Sequence, residues 1–177
     1  GQVGGSANGE LRSAPLAARV VIADRQPLML EGLAQVLRSF PTASVERCTT
    51  GAELFNAILT SQPDLAITDV KLSAPDGLAV LREVRQRGLQ VPFMLVSGGL
   101  SDSEVLEGMQ LGIRGLVPTD APIDDIARCV RTVLGGGTNS CTECHNATSA
   151  TLATNSHGPH LTTLTGAGAV CTEIGRA

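Results

Sequence analysis

Between residues 19 and 135, short apolar runs alternate with amphipathic stretches. Residues 19–24 (RVVIAD) and 64–69 (DLAITD) are apolar runs closed by an acid, and 91–97 (VPFMLVS) is closed by a hydroxyl. Apolar runs of this length suit strands buried on both faces. Residues 44–49 (SVERCT) and 115–117 (GLV) predict two further, weaker strands. Between them, 27–40 opens on Pro27 and repeats Leu30, Leu33, Val36/Leu37 and Phe40 at helical spacing. Thr50 to Glu53 and Ser101 to Glu104 have the form of capping boxes. The first opens a helix whose expected inward residues are Leu54, Phe55, Ile58 and Leu59. The second leads into residues 105–112. Residues 76–88 predict a helix stopped by Gly88. Residues 122–134 predict another, with Ile123, Ile126, Val130 and Val133/Leu134 on its inner face.

Five strands alternating with five helices imply right-handed βαβ units, hence an α/β fold with a parallel sheet covered on both faces. In such folds the ligand site lies outside the carboxyl ends of the strands, near the switch in strand order. Asp24, Asp69, Ser97 and Thr119 all lie at or just beyond predicted strand ends, so two carboxylates and two hydroxyls should share one crevice. An acid closing an apolar strand has no packing role, although it can also serve as a helix cap.

Composition narrows the chemistry. The 177-residue chain carries a formal charge of -4, with a pI of about 5.3. It lacks the basic face that phosphate-backbone binding needs. Trp and Tyr are absent. Lys71 is the only lysine beside twelve arginines, so one residue alone can supply an ammonium. The histidines lie in the last third of the chain, away from the crevice, which disfavours an enzyme with a His-backed acid–base pair. No apolar run reaches membrane-span length, and residues 1–18 lack a signal-peptide core. The expected compartment is the cytoplasm.

Three regions follow from composition: a Gly, Ala and Ser-rich leader at 1–18, a folded unit at 19–135, and a Thr, Ala and Gly-rich tail at 136–177. The tail holds Cys141-Thr-Glu-Cys144-His145, the spacing of covalent haem attachment. Cys141, Cys144, His157 and His160 come near zinc-finger spacing, although the His pair is one residue short. A metal- or haem-binding module is therefore one alternative function. Cys48 and Cys129 fall in a strand and a helix and read as buried thiols.

The folded unit resembles bacterial response-regulator receiver domains, in particular those of the NarL/LuxR type. The resemblance rests on VVIAD-x-x-PLMLEGL, PDLAITDVKLSAPDGLAVLREVR, FMLVS and GLVPTDAPIDDIARCVRTVLGG. It implies a flavodoxin-like (βα)5 sheet of strand order 2-1-3-4-5. It also implies phosphate acceptance at Asp69 from a histidine kinase, Mg2+ held with the help of an acidic pair after the first strand, and a phosphoryl-binding hydroxyl at Ser97. Val105, Met109, Leu111 and Ile123 could serve a homodimer, but core packing requires the same spacing. DNA would be bound only through a C-terminal helix-turn-helix domain, whose start residues 168–176 faintly resemble.

Three positions depart from the family pattern. The acidic pair reads Asp24-Arg25, the lysine that pairs with the phosphoryl group reads Thr119, and the nearby aromatic reads Leu116. Two carboxylates and one guanidinium carry about -1, against about -2 for three carboxylates and an ammonium. A guanidinium 4 Å from Asp69 would gain roughly 4 kcal/mol of Coulomb attraction at an effective dielectric of 20, before desolvation. The expectation is that Arg25 pairs with Asp69 and replaces the metal, leaving Mg2+ at Asp24 and Asp69 weakly bound and phosphorylation weak or lost. A conventional Mg2+-dependent receiver is the other alternative. Lys71 counts with Asp24, Arg25, Ser97 and Thr119 as a pocket residue and is the one lysine that could compensate, but its side chain is expected to point into solvent.

Overall fold

The computed structural model describes residues 17–135. Its elements run β1 (Ala18–Ala23), α1 (Pro27–Leu37), β2 (Thr42–Cys48), α2 (Gly51–Ser61), β3 (Leu65–Thr68), α3 (Gly77–Gln86), β4 (Phe93–Val96), α4 (Asp102–Gln110), β5 (Gly115–Val117) and α5 (Ile123–Gly135). The strands form one parallel sheet ordered β2-β1-β3-β4-β5. Strand order reverses between β1 and β3, which opens the crevice at their carboxyl ends.

Alternate side chains of the strands feed two apolar layers. Val20, Ile22, Ile67, Met94 and Val117 pack under α1 and α5, while Val21, Ala66, Phe93 and Leu95 pack with α2 and α3. β3 and β4 are buried along their whole length, which explains why their sequences run apolar instead of alternating.

The helix ends follow their caps, with instructive differences. Ser101 and Glu104 form the reciprocal capping box. At α2, Thr50 caps the Glu53 N–H, but the Glu53 carboxylate reaches back one residue further, to the Thr49 N–H at 2.7 Å. α1 stops at Leu37, so Phe40 is only half-buried beyond its end. Two residues expected inside face outward: Leu59 is 37% exposed and Ile123 57%. Ile123 is the first residue of α5, and the inner face is taken by Ile126, Cys129, Val130 and Val133. Leu116 is buried in β5, and Cys48 and Cys129 are buried as expected.

Candidate functional site: the carboxyl-end crevice

The ladder of the sheet continues one residue past three of its strands, and those residues are Asp24, Asp69 and Ser97. The Asp24 N–H donates to the Cys48 carbonyl at 3.2 Å, the Asp69 N–H to the Ala23 carbonyl at 3.0 Å, and the Ser97 N–H to the Val117 carbonyl at 3.0 Å. Each functional side chain is thus fixed by backbone bonds to its neighbouring strand, the most rigid support a loop-borne group can have.

Asp69 is half-buried. Its Oδ1 accepts the Lys71 N–H at 3.0 Å and a short bond from the Ser97 hydroxyl. The Ser97 oxygen in turn accepts the Val70 N–H at 3.3 Å. Both bonds to the carboxylate fall on Oδ1; among the described residues Oδ2 accepts none. One carboxylate oxygen is therefore clamped and the other is available to react.

The loop after Asp69 is closed tightly. The Gly77 N–H donates to the Val70 carbonyl at 2.8 Å, and a Cβ on Gly77 would stand 2.4 Å from the Asp69 carbonyl oxygen. This close approach requires glycine. Asp76 beside it caps α3 through the Ala79 N–H at 2.8 Å. The Asp76-Gly77 pair thereby fixes both the start of α3 and the backbone of Asp69.

Asp24 is 2% exposed. Burial pushes its carboxyl above the ordinary value; the Gln26 N–H bond opposes this, the Asp69 charge adds to it, and the Arg25 charge opposes it. A buried carboxylate with a second carboxylate beside it, in a sheltered crevice, suits a cation.

Arg25 does not pair with Asp69. It is exposed, and among the described residues its guanidinium has no hydrogen-bond or ion-pair partner. The reason is local. Asp24 Oδ1 accepts the Gln26 N–H at 2.8 Å, a turn that sends the chain into α1. Asp24 faces inward, and its immediate successor faces out. The expected replacement of the metal by a direct guanidinium clamp is overturned by this geometry; Arg25 reaches the crevice only through its field on Asp24.

Thr119 lies in the exposed loop after β5, with its Oγ1 3.0 Å from where a Cβ on Gly98 would stand. Lys71 is exposed, but it does not simply point into solvent: its Nζ reaches the Gly99 carbonyl at 3.5 Å. The Gly98-Gly99 loop and the backbone N–H groups of Val70, Lys71 and Gln26 belong to the site and were not singled out in the sequence, although a Gly-Gly pair after a strand is a visible loop signal. Cys141, Cys144, His157 and His160 lie outside the described residues, as do residues 1–16 and 136–177.

The donor set fits a hard divalent cation. Asp24 and Asp69 offer carboxylate oxygens within one crevice, the ligand chemistry Mg2+ prefers.

The chain matches the response regulator receiver domain family over residues 20–131 and belongs to that family. It is 28% identical over 119 residues to the response regulator MprA of Mycobacterium bovis, covering 67% of this chain and 51% of MprA. It therefore spans about half the length of the curated relatives it matches. Among solved structures it resembles the signal receiver domain of NarL from Mycobacterium tuberculosis, with 27% identity and a TM-score of 0.61 over 68% of this chain and 98% of that one. A LuxR-family two-component response regulator from Aurantimonas sp. SI85-9A1 shares the fold, with 21% identity and a TM-score of 0.62 over 68% of this chain and 86% of that one. Receiver domains are signalling modules of two-component systems that interact with histidine kinases and with partner domains. They typically use Mg2+ for phosphorylation. Among the described residues, no helix is long and apolar enough to cross a membrane.

Proposed function

We propose that this receiver accepts phosphate at Asp69 weakly, because its anionic half is kept and its cationic half is altered. Asp69 Oδ2, free of hydrogen bonds, attacks the phosphorus of a phosphohistidine or acyl phosphate. A new P–O bond forms as the bond to the donor nitrogen or oxygen breaks, and the leaving group keeps the electron pair. Ser97 holds Oδ1 and so orients the carboxylate. Asp24 and Asp69 would hold Mg2+, which supplies charge neutralisation for the transferring group.

The observation that carries this reading is the surrounding of Asp24: a buried acid whose chain neighbour is an exposed guanidinium where the family has a second acid. The crevice has one metal-attracting charge fewer than the family pattern, and Arg25 adds one that repels a cation. Thr119 offers the phosphoryl group a neutral hydroxyl in place of an ammonium. Arg25 thus lowers Mg2+ affinity from the rim, without contact.

The reading extends to a cytoplasmic transcriptional regulator of which this chain is the receiver part. Its partner is a histidine kinase or another regulatory protein, homodimerisation is its output, and DNA is reached through a C-terminal domain.

Labelling with acetyl phosphate in saturating and limiting Mg2+ tests it. The expected result is slow, partial phosphorylation of wild type and faster labelling of Arg25→Asp. Equally fast, complete labelling of both would overturn the weak-site reading. It would favour instead a conventional Mg2+-dependent receiver.

A further inference from the structure

The loop geometry around Asp69 places the one lysine of the chain at the mouth of the crevice. The Lys71 backbone N–H lies 3.0 Å from Asp69 Oδ1. Its side chain then crosses to the loop after β4, where Nζ lies 3.5 Å from the Gly99 carbonyl. Gly99 is two residues beyond Ser97, whose hydroxyl bonds the same Oδ1. The lysine side chain therefore bridges the two loops that carry the residues beside Asp69 and Ser97, from the β3–α3 loop to the β4–α4 loop.

Two details of the β4–α4 loop suit this arrangement. Gly99 has φ +67, a conformation that favours glycine, and a Cβ there would stand 3.3 Å from Nζ. Glycine at 99 thus leaves the ammonium its place. The adjoining Gly98 packs beside Thr119 Oγ1, so Lys71 and Thr119 flank the same short loop from opposite ends. Among the described residues Nζ has no carboxylate within ion-pair distance. Its single bond, to a neutral carbonyl at the outer limit of length, is cheap to exchange for a stronger one to an anion.

From this we infer that Lys71 is the cation that binds the tetrahedral anionic group on Asp69, taking over from the β3–α3 loop the role that Thr119 cannot fill. The inference rests on Asp69 being the acceptor and deepens the proposed function. It assigns the weak site a specific phosphoryl-binding residue. On forming the acyl phosphate, Nζ leaves the Gly99 carbonyl and donates to a phosphoryl oxygen. Because an ammonium is a point charge with three rotatable donors, the approach from a different loop need not reproduce a fixed angle.

The test uses beryllofluoride, formed from BeCl2 and NaF in the presence of Mg2+, and follows its binding by 19F NMR. The chain has no Trp or Tyr to report by fluorescence. Wild type, Lys71→Met, Lys71→Arg and the Lys71→Met/Thr119→Lys double variant are compared, together with their affinities for Mg2+ alone. Lys71→Met should bind beryllofluoride about 10-fold or more weakly, the scale of a lost charge-assisted bond to an anion. Its affinity for Mg2+ alone should stay equal or rise, because a positive charge has left the crevice mouth. Lys71→Arg should fall between the two, and the double variant should recover most of the lost affinity. Since Lys71 is exposed, the fold should survive, as checked by circular dichroism.

Unchanged beryllofluoride binding by Lys71→Met would overturn the inference, and so would failure of wild type to bind it at saturating concentration. Neither result contradicts a weak acceptor site. Conversely, tight Mg2+ binding by wild type would contradict the weak-site reading and leave the role of Lys71 standing, provided Lys71→Met still loses anion affinity.

Discussion

The acidic floor of the crevice and its cationic rim are built by opposite means. Asp24, Asp69 and Ser97 are tied by their backbone N–H groups to neighbouring strands, and Asp24 and Ser97 are buried. Arg25, Lys71 and Thr119 are exposed on loops, and only Lys71 has a polar contact of its side chain, to a neutral carbonyl. The floor is specified by the sheet, whose register cannot shift without moving a core residue to the wrong layer. The rim is specified by side-chain length and loop direction, and can change without cost to the fold. A signalling module can therefore be tuned or silenced at its rim while its architecture is retained.

The sharpest break between the two regions is chemical. Asp69→Asn should abolish acetyl-phosphate labelling altogether, read as loss of the added phosphate mass in intact-protein spectrometry. Residual labelling at another residue would show that the floor is not where phosphate is accepted.

Stability should divide along the same line. Ile67, fully buried in β3 one residue before Thr68, should lose about 2–5 kcal/mol on Ile67→Ala in urea unfolding. Leu28→Ala, at an 84% exposed position of α1, should change stability by no more than about 0.5 kcal/mol. Equal losses would mean that the layers assigned to core and surface are wrong.

A subtler difference lies in pH. Burial, joined by the charge of Asp69, raises the Asp24 carboxyl above its ordinary value of 3.8. Between 3.8 and the raised value the folded state holds a proton that the unfolded state has released. Stability from this group therefore falls as pH rises through that window, and the loss is complete above it. In metal-free buffer Asp24→Asn should be more stable than wild type near pH 7, and the gap should close as pH falls toward 3.8. A gap independent of pH would show that Asp24 is not destabilised by its charge. Another small effect belongs to the surface: Arg82→Ala removes a 2.5 Å ion pair with Glu107 between half-exposed side chains and should cost less than about 1 kcal/mol.

The same division explains what could be read from the sequence. β1, β3 and β4 were legible because each is an apolar run closed by an acid or a hydroxyl, and the crevice residues followed from those strand ends. Asp76-Gly77 was legible as a helix start, while the close packing of Gly77 on the Asp69 carbonyl required the fold. The direction of Arg25 was not legible, since it depends on a turn made by Asp24 and the Gln26 N–H. The reach of Lys71 was missed for a similar reason: its contact is a backbone carbonyl 28 residues away, and no periodicity encodes it. Ile123 is the first residue of α5, and Leu59 falls beside the buried stripe of α2 made by Leu54, Ala57 and Ile58, so helical spacing alone did not place either inside.

Whether Arg25 weakens the metal site from the rim is measured directly by isothermal titration with Mg2+ of wild type and Arg25→Asp. Replacing a guanidinium by a carboxylate beside Asp24 should tighten Mg2+ binding by about 10-fold or more, a conservative figure for two units of charge acting on a divalent ion. Identical affinities, or a wild type that already binds as tightly as the variant, would contradict it.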